Sequence, residues 1–156
     1  MELLRIFRSK AHNYFGHYGK PAGTNPVEEL SETSLAAGGG VPGDRFKQQV
    51  TFFAEETWLR LRAEIAPPGG ERGPDVFRRN LLVRGADLNA LVGREFQVQG
   101  LRFRGVEYCK PCFWMDQAFA PGTLDALNRW RAGGLRAEVL SGGTLRAAGQ
   151  TAESRA

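Results

Sequence analysis

The chain holds two cysteines, Cys109 and Cys112, inside the stretch GVEYCKPCFWMD at residues 105–116. Thiols at this C-x-x-C spacing suit several chemistries. A disulfide needs an oxidising compartment. A zinc site needs four ligands, usually Cys or His, and the other candidates, His12 and His17, lie far upstream on a glycine-rich stretch. A redox dithiol sits at a strand end that opens a helix. Here Pro111 separates the cysteines and a helical pattern resumes only at Pro121. The remaining chemistry is a single thiolate that ligates a soft, high-valent metal such as molybdenum, with a cation such as Lys110 nearby to favour the thiolate. Residue types alone leave zinc, a dithiol, a metal thiolate and two inert half-buried thiols all open.

A second set of residues is built for anions. Arg78, Arg79 and Asn80 lead directly into an apolar run. Guanidinium forks grip phosphate, and an amide reads the edge of a heterocycle. Gly43-Asp44-Arg45-Phe46 is a turn in which Asp44 can orient Arg45 by a salt bridge. The glycines at 38–40 are not followed by the Lys and Ser/Thr of a phosphate-binding P-loop. No G-x-S-x-G, H-E-x-x-H or catalytically spaced carboxylate pair is present.

Positioning these residues takes a strand-rich frame. ELLRIF reads as an opening strand, followed by a long irregular loop at residues 9–26 whose aromatic residues argue against disorder. A strand begins near Val27 and ends in the glycine-rich turn at 38–43, and KQQVTFF is a further strand. Residues 54–65 predict a helix with Trp58, Leu61 and Ile65 on one face. NLLVRG is a strand, and DLNALVG a short helical turn ending at Gly93. REFQVQGLRFRGVEY gives the clearest alternation, with Phe96 and Val98, Leu101 and Phe103, then Val106 and Tyr108 facing inward. Gly100 and Gly105 supply turns or bulges. A helix between Pro121 and Gly133 buries Leu124 and Leu127. LRAEVL and TLRAA close the frame as strands joined by SGG. Strands do not alternate regularly with helices, so a mostly β architecture, a barrel or curled sheet with a few peripheral α-helices, is expected. Residues 1–148 are expected to form one domain and 149–156 a flexible tail.

Composition narrows the class. The chain has 156 residues, 42% hydrophobic and 24% charged, enough for one core. No apolar run reaches membrane-spanning length, and MELLRIFRSK is too short and too soon charged for a signal peptide. A reducing cytoplasm is the expected location, which disfavours a structural disulfide. The net charge is +4, and of 21 cations only Lys10, Lys20, Lys47 and Lys110 are lysines. An arginine bias suits an anionic ligand, and a GC-rich genome produces the same bias. Nucleic acid is the disfavoured partner; only LRFRGVEY hints at a basic face with stacking aromatics.

The order GDRF, helix, RRN, then GADLNALVGREFQVQG, C-x-P-C and GGLRAEVL resembles the MOSC domain, named after the C-terminal part of molybdenum cofactor sulfurases. The resemblance spans about residues 3–147, and HNYFGHYGKPAG with CKPCFWMD is similar to a small standalone bacterial branch. It implies a β-barrel with peripheral helices and the molybdenum cofactor, a pterin dithiolene bearing a phosphate. The cysteine after the proline, Cys112, would ligate molybdenum or carry sulfur, with Cys109 the runner-up. Arg78 and Asn80 match the family's R-x-N, and Arg45 the arginine of its G-D-R. Arg8 and Ser9 fall where the amidoxime-reducing branch carries a Lys-Ser pair near the phosphate, and Lys110 would reach the cofactor from between the cysteines. Phe46 stands where many relatives have histidine. The implied activity is reduction of N-hydroxylated or related substrates, with electrons from a separate donor protein. The alternative is a sulfur or cofactor carrier in which a cysteine persulfide is loaded by a cysteine desulfurase.

Overall fold

The structure is a computed structural model and describes residues 1–13, 21–65, 67 and 69–148. Its strands are β1 (Glu2–Arg8), β2 (Glu28–Leu30), β3 (Glu32–Leu35), β4 (Val50–Ala54), β5 (Leu81–Arg84), β6 (Glu95–Val98), β7 (Leu101–Tyr108), β8 (Leu135–Val139) and β9 (Gly143–Arg146). The helices are α1 (Glu55–Glu64), α2 (Trp114–Ala118) and α3 (Thr123–Trp130), with 3-10 turns at Pro74–Phe77 and Leu88–Leu91. Seven strands form one curled sheet in the order β2-β1-β5-β4-β8-β7-β6, and β3 pairs with β9 in a second, two-stranded sheet. The only parallel pair among these is β4 with β5, which α1 connects, as a parallel neighbour requires a crossover.

Both faces of the large sheet are covered, which explains why VTFF and LLV read as continuous apolar runs rather than as alternation. Phe52, Leu81 and Val83 face a core inside the curl with Leu35, Phe103 and Leu145. Phe53 and Leu82 face the other way, into a layer with Leu61 of α1, Phe77, Met115 and Phe119 of the α2 region, and Leu127 of α3. Each such buried side chain contributes roughly 1.5–3 kcal/mol. The mostly β frame with few peripheral helices is the architecture observed.

Several local expectations differ. The segment from Val27 is two strands broken at Ser31, because β2 pairs with β1 while β3 crosses to β9. The two closing strands joined by SGG, β8 and β9, belong to different sheets. SGG carries the chain out of the large sheet, and β8 pairs with β4 and β7. Val106 is 40% exposed, since the register shift between Gly105 and Glu107 follows the buried set Leu101, Phe103, Gly105 rather than resetting it inward. Gly105 itself is an inward position: a Cβ there would lie 2.0 Å from the Leu91 carbonyl oxygen. Helix α2 forms where periodicity was too short to signal one, and Trp114 and Met115 bury its inner side. On α3, Thr123, Ala126 and Leu127 are the buried positions, and Leu124 is only half-buried. The expected tail at 149–156 lies outside the described residues, as does His17.

Candidate functional site

Strand pairing brings the chemistry to one end of the sheet. The end of β1 lies beside the start of β5, the starts of β4 and β8 are near, and Tyr108 at the end of β7 pairs with Leu135. Four segments therefore converge: the residues after β1, the Gly43–Phe46 turn before β4, the Phe77–Asn80 corner before β5, and the Cys109–Cys112 link after β7. His12, Asn13, Arg45, Phe46, Arg78, Arg79, Lys110 and Cys112 line a cleft of about 130 Å³ between them, over a floor of Phe77 and Met115. A shallower depression of about 330 Å³, lined by Arg45, Phe46, Lys47, Gln48 and Gln49, adjoins it through Arg45 and Phe46. Among the described residues no carboxylate lines either one.

Asp44 is the buried keystone. Its Oδ1 accepts the Ser9 backbone N–H at 2.8 Å and its Oδ2 the Phe46 N–H at 3.0 Å. The Arg45 guanidinium lies 3.4 Å from Oδ1 and donates to the Arg78 carbonyl at 2.8 Å. Arg45 Nε is buried with no acceptor among the described residues. Burial, opposed by Asp44 and reinforced by Arg78 and Arg79, pushes the Arg45 pKa down to about 10, so it remains a cation at neutral pH. The Phe46 ring lies near two guanidiniums, with Arg45 at 4.7 Å and Arg136 at 5.3 Å, and takes the His12 ring edge-on at 5.6 Å. Partial burial and the charges of Arg45 and Arg78 lower the His12 pKa, so this imidazole is neutral at pH 7.

Arg78 occupies the left-handed region at φ 58°, a costly conformation for a side chain of this size. The corner aims its guanidinium back across β1. It donates to Ser9 Oγ at 2.6 Å, to the Ala11 carbonyl at 2.7 Å and to the Asn25 carbonyl at 3.2 Å. Asn13 and Asn25 are joined by paired amide–backbone hydrogen bonds: Asn13 Nδ2 donates to the Asn25 carbonyl and Asn13 Oδ1 accepts the Asn25 N–H. Arg78 thus holds the loop that carries His12 and Asn13 to the cleft.

Of the residues singled out from sequence, Arg45, Arg78, Lys110 and Cys112 meet at the cleft, and Arg8, Ser9, Asn80 and Cys109 do not line it. Arg8 is paired with Glu28 and donates to the Pro42 carbonyl. Ser9 is buried beneath Arg78, in a crevice too tight for a water molecule. Asn80 is committed to the sheet: its Oδ1 accepts from the Thr51 N–H and hydroxyl, and its Nδ2 donates to the Phe7 carbonyl. Cys109 is buried, and burial pushes its thiol pKa up against the pull of Arg79 and Arg136. Cys112 is half-exposed on the wall. The Cys2His2 zinc alternative has no support among the described residues, where no group of three or more His, Cys, Asp or Glu converges. Arg79 belongs to the cleft and is anchored by the Gly133 and Phe77 carbonyls; its place in the RRN run was the available signal. Met115 and Asn13 carried none. No helix among the described residues is long and apolar enough to cross a membrane.

These residues fit a pterin dithiolene with a phosphate. The cleft offers guanidiniums with no carboxylate among its lining residues, a buried guanidinium Nε lacking an acceptor among the described residues, and a reachable thiol for a soft metal. The cleft is smaller than the roughly 300 Å³ at which small-molecule sites begin, so such a group would extend into the adjoining depression.

Comparison with known proteins agrees with this layout. No curated protein matches the sequence. Among solved structures, the chain is similar to YiiM from Geobacillus stearothermophilus (11% identity, TM-score 0.65, covering 94% of this chain and 71% of that one). It is also similar to the YUAD protein from Bacillus subtilis (16%, 0.60, 93% and 94%). YiiM from Escherichia coli is similar as well (17%, 0.61, 90% and 66%), so the chain spans just under two thirds of that protein. At these identities the likeness is one of fold. The family signature of the MOSC domain matches residues 38–151, which include the Arg45 turn, the Arg78–Asn80 corner and both cysteines, and the chain belongs to the MOSC domain family.

Proposed function

We propose that this MOSC domain holds a molybdenum cofactor in the Arg45–Cys112 cleft and works as an oxidoreductase on N-hydroxylated or related substrates. The family's association with the molybdenum cofactor supports the ligand. The observation that carries the reading is the meeting of Cys112 with Arg45, Arg78, Arg79 and Lys110 on one carboxylate-free wall. Arg45 and Arg79 are the anion-gripping groups, held in place by Asp44 and by the Gly133 carbonyl. Arg78 builds the wall rather than reaching across it. Cys112 is the metal thiolate, and Cys109, buried behind it, a packing residue. When bound, the cofactor supplies two-electron removal of oxygen. Reduction of a hydroxylamine to an amine and water takes two electrons, which a separate donor protein provides, and two protons. Lys110, the exposed ammonium at the rim, and neutral His12 are the cleft's candidates for passing those protons.

Elemental mass spectrometry for molybdenum, with fluorescence of the oxidised pterin, tests the reading on protein from a cofactor-competent host. Near-stoichiometric metal and pterin in the wild type, loss of both in Cys112→Ser and substantial retention in Cys109→Ser are expected. Equal retention in wild type and Cys112→Ser would overturn the ligand assignment.

The half-exposure of Cys112 beside Lys110 favours a second reading, sulfur carriage, because a desulfurase must reach the thiol it loads. A persulfide on Cys112 adds about 32 Da by intact mass, one rung of thiol oxidation that reductant reverses. An unmodified Cys112 in protein from sulfur-replete cells counts against it.

A further inference from the structure

The lysines are placed unlike the arginines. Most surface arginines pair with carboxylates, Arg5 with Glu29, Arg60 with Glu64 and Arg104 with Glu95 among them. Lys10, Lys47 and Lys110 are exposed, and none has an ion pair among the described residues. All three stand at the cleft end of the sheet. Lys10 follows β1, and both its neighbours are held by Arg78, Ser9 through its hydroxyl and Ala11 through its carbonyl. Lys47 lines the depression that shares Arg45 and Phe46 with the cleft, and Lys110 lines the cleft itself. Three segments far apart in sequence thus bring their lysines to the rim of one opening.

The carboxylates carried by the adjoining segments are engaged. Asp44 is buried and accepts two backbone N–H groups, Glu28 pairs with Arg8, and Glu107 pairs with Arg136. By contrast, the largest cavity of the molecule, about 460 Å³ beside Trp130, has Glu56 and Asp87 on its wall as well as Arg131. The cleft guanidiniums grip the cofactor or hold the chain in the reading above, whereas the rim ammoniums have no such task. Lysine is a compact, strongly hydrated charge on a flexible stem, poor at fixing a ligand and suited to attracting one. Rim charges act chiefly on the rate of encounter and its salt dependence, and such steering raises association rates about 10–1,000-fold.

We propose that the Lys10–Lys47–Lys110 rim is the docking surface for an acidic electron-transfer protein, the donor that the reduction requires. The proposal rests on the oxidoreductase reading and adds the chemistry of the partner. The donor's carboxylates meet the three ammoniums and bring its redox centre over the cleft that holds Cys112. Two one-electron carriers are oxidised for each hydroxylamine reduced, and two protons enter from water, giving amine and water. Three ammoniums are a small footprint for nucleic acid, beside the roughly 6–10 phosphate contacts of a strongly salt-dependent binder.

The test uses the cofactor-loaded full chain and follows phenylhydroxylamine to aniline. Electrons come from reduced plant-type [2Fe–2S] ferredoxin, a small acidic one-electron carrier, or from reduced methyl viologen, a small cation. Lys10→Glu is the main variant, since Lys10 lines neither the cleft nor the depression. Its ferredoxin-driven rate at low salt should fall about tenfold, and its viologen-driven rate should not fall. The wild-type ferredoxin-driven rate should also fall about tenfold between about 20 and 300 mM salt. Lys47→Glu, read as the ratio of its two rates, gives a second measure of the same loss. Arg146→Glu makes the same charge change at the far end of the molecule, where the Arg146 N–H donates to Gln99 in the turn before β7, and should leave the ferredoxin-driven rate unchanged. Turnover with viologen but not with ferredoxin, or ferredoxin-driven rates that neither salt nor the lysine variants change, would overturn the docking surface and leave the oxidoreductase reading standing. No turnover with either donor would overturn that reading and the surface with it. RNA that binds the wild type and is released by Lys10→Glu would assign the rim to nucleic acid instead.

Discussion

Arg78 makes its bonds to carbonyls and a hydroxyl within the chain, and Arg45 retains a buried nitrogen without an acceptor among the described residues. Two arginines from neighbouring motifs therefore do different work. Arg78→Ala leaves three oxygens over the loop without their donor, and a loss of about 3 kcal/mol is expected. Denaturant titration measures it, and Arg78→Lys should recover little, because an ammonium lacks the planar fork. Arg45→Ala should instead weaken cofactor retention more than stability. Alkylation separates the cysteines: iodoacetamide should label Cys112 first, and Cys109 only on unfolding or at high pH, because burial raises its pKa. Mass spectrometry of the digested protein gives the order. The motifs pointed in the sequence to Arg45, Arg78, Lys110 and Cys112, which meet at one cleft. Asn80 shows the limit of that reading: its amide bonds Thr51 and Phe7 and does not line the cleft, and in one dimension an amide that ties strands looks like one that reads a ligand.

The elements that were easy to foresee are those with a single buried face or strong punctuation. Helix α1 with Leu61 at its centre and the β6–β7 hairpin are examples. Pairing was harder to foresee. Whether SGG makes a hairpin or carries the chain to another sheet depends on β3, which is distant in sequence and claims β9 through four residue pairs. A five-residue helix such as α2 is too short for its period to show. Gly105 flanks the bulge read from the sequence, and it carries a second constraint that the sequence does not show, the Leu91 carbonyl. Gly105→Ala should cost about 1–3 kcal/mol by overpacking, a fall of several degrees in Tm for a chain of this size. A variant as stable as the wild type would mean that the β7–Leu91 contact yields.

At the scale of the whole molecule, most of the arginine excess proves to be surface balance. Arg5, Arg60, Arg84, Arg102, Arg104 and Arg129 pair with nearby carboxylates, each pair contributing about 0–1 kcal/mol. The alternation that hinted at an RNA-stacking face is core packing, with Phe103 buried between the Glu95-paired Arg102 and Arg104. Stability should fall on mild acidification. His12 has a lowered pKa in the fold, so the unfolded chain binds more protons, and this contribution is intact above about pH 6.5 and lost as the pH drops below it. A His12→Gln variant should flatten that slope in thermal melts recorded from pH 7 to 5.

The turn after α3 has one further consequence. Gly134 faces the Trp130 cavity, yet its carbonyl accepts the Cys109 N–H at 2.9 Å, and the Gly133 carbonyl accepts Arg79 Nε at 3.1 Å. A Cβ at Gly133 would lie 2.1 Å from the Cys109 carbonyl oxygen, and one at Gly134 would lie 2.4 Å from that of Phe52. This is a party wall with no slack: whatever pushes it from one side is felt on the other.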